Sequence, residues 1–224
     1  MKVNLISYTQ PSLELLNRFK EEGAIFNGPS DLITFCARVS NPQNQFNTLT
    51  GKKLIKYLVE NKHWSPLQMV DVTLEIETTR DVSRQHLRHK SFDFQEFSQR
   101  YSEALGFEIR ECRMQDPKNR QNSVECTDEF LRRWWEFVQM SVIATTENYY
   151  KEALAFGIAK EVARAILPEG LTLSRLYAKN SLRGWIHYLE VRAGEKSATQ
   201  KEHRLVAKEC AKVLAELFPD LIEV

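Results

Sequence analysis

Glycine is scarce in this chain, 8 among 224 residues, and none falls in a GxGxxG or GxxxxGK pattern, which argues against Rossmann and P-loop phosphate cradles. The four cysteines, Cys36, Cys112, Cys126 and Cys210, show no CxxC pair and no regular spacing. That pattern suggests neither a zinc ribbon nor a disulfide scaffold and fits a reducing compartment. No apolar run approaches the roughly 20 residues that span a bilayer. The run after Met1 is too short for a secretory signal. A cytoplasmic protein with no membrane partner is therefore expected. Excess charge is missing too: 31 Lys and Arg face 30 Asp and Glu, for a formal net charge of +1. Nothing in that balance demands nucleic acid, so local basic clusters must be read as sites.

What is present suffices for a sizeable core, with 42% hydrophobic residues, and the expectation is one domain over residues 1–224. Residues 2–8 alternate as a first strand, and Ser12 opens a short amphipathic helix through Phe19 that Gly23 ends. Ser30 or Asp31 is expected to cap a helix running to Val39, and another covers about residues 50–61. Residues 70–78 have strict period two, the mark of a half-buried strand with an acidic outer face. Thr79 or Asp81 then caps a short helix that delivers the chain to Arg88. The pattern predicts a strand over 107–112, a disordered or variable polar loop over 113–125, and a long helix from Thr127 or Asp128 to about Phe156. A helix around 162–167, a strand over 171–177, a helix over 180–192 and a last helix over 197–218 complete an α+β chain. The apolar load of the long helix exceeds one stripe, which points to a subunit interface as well as a core.

Chemistry concentrates between Arg88 and Tyr101, where cations, a carboxylate, amides, hydroxyls and a histidine surround three phenylalanines. Aromatics that need burial beside Arg88, Glu96 and Arg100 that need partners suggest the wall of a pocket for an anionic ligand. Two readings of Arg88, Ser98 and Arg100 stay open at this point: a phosphate-holding set, or arginines in structural ion pairs with Glu96 and Asp93. His86 and His89, three apart, could join His63 around a metal, but no HExxH or zincin carboxylate accompanies them, and no metal is expected. The turn His63-Trp64-Ser65-Pro66 reads either as a ligand-presenting loop or as an ordinary helix terminus. Arg183 and His187 are i, i+4 neighbours while Arg192 falls on the opposite side of a helix, giving two separate contacts instead of one basic stripe. No cysteine has a histidine neighbour in sequence, so a thiol nucleophile is not indicated.

Arg88-His89-Lys90, seven residues and then Ser98 resembles the Arg-His-Arg-x7-Ser signature of the flavin-dependent thymidylate synthases, and Gln99-Arg100-Tyr101-Ser102 continues the likeness. Five further matches follow in order: Cys36-Ala37-Arg38-Val39-Ser40, His63-x-Ser65-Pro66, Ala163-Arg164-x-x-Leu167-Pro168, the Asn180 to Arg192 segment, and Gln200-x-Glu202-x-Arg204. The resemblance implies the fold specific to that family, a small antiparallel-type sheet packed with long helices. It implies a homotetramer with active sites shared between subunits. The implied reaction is reductive methylation of dUMP to dTMP, with methylenetetrahydrofolate as carbon donor and NADPH as reductant acting through FAD. Carried over by position, Gln85, Arg88, Glu96, Ser98, Gln99, Arg100 and Arg164 hold dUMP, Arg164 reaching it from another subunit, and Arg192 stabilises charge developing on the uracil. Ser65, Arg88, His89, Lys90, Asn180, Arg183 and His187 contact FAD. Lys90 departs from the signature arginine, Gln99 stands where glycine is common, and Leu67-Gln68-Met69 replaces the frequent Phe-Glu-His. The alternatives are a related flavin- and folate-dependent enzyme methylating or hydroxymethylating dUMP or dCMP, or a non-catalytic nucleotide- or RNA-binding protein.

Overall fold

A computed structural model describes residues 1–194 and 199–222. In chain order the elements are β1 (Lys2–Tyr8), α1 (Leu13–Glu21), α2 (Pro29–Ala37), α3 (Gly51–Glu60), β2 (Asp71–Thr79), α4 (Arg80–His86), β3 (Asp93–Glu96), β4 (Arg113–Gln115), β5 (Ser123–Glu125), α5 (Glu129–Ala155), α6 (Lys160–Ala163), β6 (Leu173–Ser181), α7 (Leu182–Arg192) and α8 (Lys201–Leu217), with short 3-10 turns at Pro42–Asn44, Ser65–Met69 and Arg164–Ile166. The main sheet has the order β1-β2-β6-β3, with every pairing antiparallel, and β4 with β5 makes a separate hairpin.

The period-two strand behaves as its pattern predicts. Val72, Leu74 and Ile76 turn inward and are fully buried, while Glu75 and Glu77 lie on the other face. That acidic face is neutralised within the sheet, Arg175 of β6 pairing with both carboxylates and Tyr177 donating to Glu75 at 3.0 Å. Against the inner face pack Leu182, Trp185 and Tyr188 of α7 and Val206, Cys210 and Leu214 of α8. Trp185 donates its indole N–H to the Val72 carbonyl at 3.0 Å, so α7 is fixed to β2 by a bond as well as by burial. Removing side chains of this size from such a core costs roughly 3–5 kcal/mol each.

Several expectations need correction. Gly28, and neither Ser30 nor Asp31, is the N-cap of α2; Pro29 takes the first helical position, where a missing N–H costs nothing, and Asp31 reaches back to accept the Asn27 amide at 2.7 Å. Thr79 does hold the N-cap position of α4, but its hydroxyl donates to Asp81 at 2.6 Å instead of accepting from the helix. The strand expected over 107–112 is reduced to one bridge, Phe107 with Thr172. Its would-be partner is replaced by the Gln139 side chain of α5, which accepts from the Arg110 amide at 2.7 Å and donates to the Arg110 carbonyl at 2.9 Å. The polar stretch 113–125 is no structureless loop: it folds into the β4–β5 hairpin, whose tip Asp116 tightens by accepting from the backbone amides of Lys118 and Asn119. β6 continues through Ser181, so Asn180 ends a strand and does not start a helix. The expected helix at 162–167 is one turn of α6 and a 3-10 turn ahead of Pro168. The last helix begins at Lys201, and the expected start at Ser197 lies outside the described residues.

Candidate active site

Strand β2 ends at Thr79 and the chain turns at once into α4, so the seven residues of α4 stand at the end of the sheet beside β6 and α8. From there the signature segment turns back as β3, which puts the residues on either side of it in two separate corners.

The first corner is cationic. Arg80, Arg84, Gln99 and Arg164 line a cavity of about 240 Å³ together with Glu169. Arg80 donates to Glu169 at 3.4 Å and Arg84 pairs with the same carboxylate. Gln99 is 2% exposed and its Nε2 has no partner among the described residues, a buried donor of the kind that a bound acceptor satisfies. Ser98 forms the turn above it, its hydroxyl accepting from the Arg100 amide at 3.3 Å and its carbonyl from the amides of Tyr101 and Ser102. The structural alternative for the arginines fails in detail. Arg100 pairs with Glu161 at 3.2 Å, Arg88 is exposed with no ion pair among the described residues, and Glu96 is held by two serines. Ser83 and Ser174 donate to one and the same Glu96 oxygen at 2.7 and 2.8 Å. Arg164 lines this cavity together with Gln99.

The second corner is backed by buried rings. Arg192, in the last turn of α7, donates from Nε to His89 Nε2 at 3.0 Å and from Nη1 to Thr199 at 3.5 Å. Burial, and then the charge of Arg192, lowers the His89 pKa to about 4. His89 is therefore neutral at pH 7, and accepting at Nε2 places its proton on Nδ1. Behind it His86, Tyr188 and His203 form a block of rings with centroids 4.6 to 5.8 Å apart. Burial above all, and then neighbouring charges, lowers His86 far below its ordinary value and His203 to about 3. Asn180 adjoins this corner, donating to Ser91 at 3.2 Å while its Oδ1 accepts from the Ser181 amide. A Cβ on Gly184 would fall 2.0 Å from Asn180 Nδ2, so glycine is required there by close approach. Lys90, Arg183 and His187 are exposed, as is Ser65 at the start of its 3-10 turn. The two expected faces of the 183–192 helix are thus distinct: 183 and 187 point outward, and 192 points in to His89. Arg192 and His89, expected to serve adjoining ligands, are hydrogen-bonded to each other.

Gln85 belongs to a half-buried network. It donates to Gln200 at 2.7 Å, and Gln200 donates to Glu202 at 2.9 Å. Glu202 also receives Arg113 at 2.6 Å and Arg110 at 3.6 Å, while Arg110 holds Asp81 at 2.6 Å. Burial would raise the Glu202 pKa, but the Arg113 hydrogen bond, the helix-start amide, Gln200 and the Arg110 charge outweigh it and hold the carboxyl at about 2. Sequence reasoning missed Arg110 and Arg113, whose shared partner Glu202 is remote in sequence, as well as His203 and Tyr188. His203 carried a usable signal, since it sits inside the Gln-x-Glu-x-Arg motif. His63 stands exposed against the Tyr57 ring, away from His86 and His89, and no group of three metal-binding side chains occurs among the described residues. Cys210 is buried beside Tyr188, and burial raises its thiol far above the ordinary range, which leaves it no nucleophilic role.

The family described as thymidylate synthase complementing protein matches residues 24–220. A flavin-dependent thymidylate synthase of Synechocystis sp. is 47% identical over 219 residues, covering 98% of this chain and 96% of that protein. A probable flavin-dependent thymidylate synthase of Paramecium bursaria Chlorella virus 1 is 41% identical over 222 residues, 99% of this chain and 97% of that protein. Among solved structures, the UMP/dUMP methylase PolB from Streptomyces cacaoi bound with 5-Br dUMP matches with a TM-score of 0.78 at 25% identity, covering 98% of this chain and 92% of that one.

Proposed function

The chain belongs to the flavin-dependent thymidylate synthase family, and from that premise we propose that it converts dUMP to dTMP using FAD, methylenetetrahydrofolate and NADPH. The observation that carries this reading is the 3.0 Å contact of Arg192 with His89, which joins the signature segment to the family's α7 arginine.

The donor set suits FAD. Arg88, Lys90 and Arg183 are exposed cations with no carboxylate partner among the described residues, as a pyrophosphate requires, and Asn180, His187 and Ser65 add hydrogen-bonding groups. When bound, FAD supplies the reducing equivalents taken from NADPH.

The chain's own residues do the rest. Arg88, Arg100, Ser98, Gln99 and Arg164 hold the dUMP phosphate, and Gln85 and Glu96, fixed by Gln200 and by two serines, orient the nucleotide. Arg192 lies against the uracil and stabilises negative charge as it develops on the ring, an electrostatic role that a guanidinium pinned by His89 performs without reorganisation. A neutral His89 can accept that hydrogen bond; a protonated one would repel the arginine. The methylene carbon bonds to the ring carbon that gives up a proton, and its reduction to methyl lets the folate leave as tetrahydrofolate.

The whole chain works as one cytoplasmic domain in this reading, and the assembly is a homotetramer. Its support is the exposed apolar side of α5, where Phe130, Trp134, Phe137 and Met140 are each more than half exposed. No helix of the described residues is long and apolar enough to cross a membrane. A second reading, in which UMP is the methylated nucleotide, draws on PolB being a UMP/dUMP methylase.

The test is spectroscopic. Purified protein is expected to bind FAD and to lose the flavin band when NADPH is added without oxygen. Protein that stays colourless with added FAD overturns the reading, and competition among dUMP, UMP and dCMP for turnover decides the nucleotide.

A further inference from the structure

The antiparallel register of the hairpin pairs Arg113 with Glu125, Met114 with Val124 and Gln115 with Ser123. One step further out, the same register sets Cys112 opposite Cys126. Directly opposed residues in an antiparallel pair have Cα atoms about 4.5 or 5.5 Å apart, and both distances lie in the range that a disulfide bridges. Both thiols are free, and the Cys126 thiol is close enough to act on the ionisation of Cys112. Cys126 is 1% exposed, whereas Cys112 lines a cavity of about 720 Å³ together with Arg113, Met114 and Ser123. A small oxidant can therefore reach Cys112 but not Cys126.

We propose that Cys112 and Cys126 are a reversible dithiol–disulfide pair at the stem of the β4–β5 hairpin, oxidised by peroxide and reduced by low-molecular-weight thiols. The Cys112 sulfur attacks peroxide, an S–O bond forms as the O–O bond breaks, and the hydroxide released leaves as water. The Cys126 sulfur then attacks Cys112, forming the S–S bond and expelling the second oxygen as water. Two thiols and one peroxide become one disulfide and two waters, a two-electron exchange. The bond ties the stem to the start of α5, because Cys126 precedes the N-cap Asp128 and its thiol lies 3.7 Å from the Asp128 carbonyl. It thereby also fixes Arg113, whose partner Glu202 leads through Gln200 to Gln85. Burial, and behind it the Cys126 thiol, raises the Cys112 pKa, so the resting pair is a dithiol that oxidises slowly at neutral pH.

The experiment uses the full chain at mildly alkaline pH, treated with hydrogen peroxide, quenched with an alkylating reagent and weighed intact. The expected product is about 2 Da lighter than the untreated chain. Trypsin is expected to release the peptide 111–113 cross-linked to the peptide 121–132, and dithiothreitol to separate them. In Cys126→Ser the cross-link disappears and dimedone traps a sulfenic acid on Cys112. Oxidation that stops at sulfenic or sulfinic acid in the unmodified chain, or a cross-link to Cys36 or Cys210, overturns the proposal. The readout is a mass and needs no flavin or nucleotide, so its failure and the failure of the proposed reaction are separable.

Discussion

Arg164 and Arg192 are both arginines of the candidate site, yet their surroundings share almost nothing. Arg164 stands in an open cavity among Arg80 and Arg84, where one carboxylate, Glu169, balances the cations. Arg192 rests against a block of neutral rings in which His89 accepts a hydrogen bond from its Nε at 3.0 Å and Tyr188 and His203 are fully buried. The first environment suits a ligand that brings its own negative charge and displaces a carboxylate. The second fixes a guanidinium in one place with no carboxylate paired to it among the described residues, which suits stabilising charge that appears only during reaction.

If that contrast is right, the two arginines fail differently. Arg192→Ala is expected to lower kcat by about 100-fold or more while FAD stays bound, since a transition-state interaction is lost. A change confined to KM would place Arg192 in ground-state binding instead. Arg164→Ala is expected to raise KM for dUMP by roughly 10- to 100-fold, the worth of one charge-assisted hydrogen bond, with kcat nearly unchanged. Gly184→Ala pushes a methyl into Asn180 and is expected to weaken FAD binding by about 10-fold through a displaced amide, in line with the cost of overpacking. Flavin affinity equal to that of the unmodified chain would remove Asn180 from the flavin site.

The smallest effect is on stability, and it separates the histidine block from the Glu202 network by pH. His89 and His203, at about 4 and about 3 when folded, titrate near 6.5 once unfolded. Below about pH 6.5 the unfolded chain binds more protons, so stability falls on acidification towards pH 4. Glu202, held at about 2, has the usual carboxylate dependence, contributing above its unfolded value and losing that contribution only as pH falls from about 4.5 towards 2. Denaturant midpoints at pH 7 and pH 5 therefore report the histidine block alone. Equal midpoints would mean that these histidines are solvated.

The core was plain in the sequence because one-dimensional periodicity records it: the alternation of 70–78 became β2, and Ser12 and Asp128 cap α1 and α5 as their positions suggest. Motif order likewise singled out Arg88, His89, Ser98, Gln99, Arg164 and Arg192 as candidates. What escaped depends on partners remote in sequence. Gln139 takes a strand's place beside Arg110, and Glu202 gathers Arg110 and Arg113. Cys112 meets Cys126 only because the hairpin between them has the register it has. His203 looked like a filler position within a motif, and only the packing of α8 against α7 makes it part of the wall behind Arg192.

The most direct test of the account is the mass of the nucleotide formed when FAD-loaded protein turns over dUMP with methylenetetrahydrofolate and NADPH in the absence of oxygen. The expected product is dTMP, about 14 Da heavier than dUMP by the one methylene gained, and Arg192→Ala is expected to form almost none while its flavin is still reduced by NADPH. Unchanged dUMP from the unmodified chain, or dTMP formed equally fast without Arg192, would contradict it.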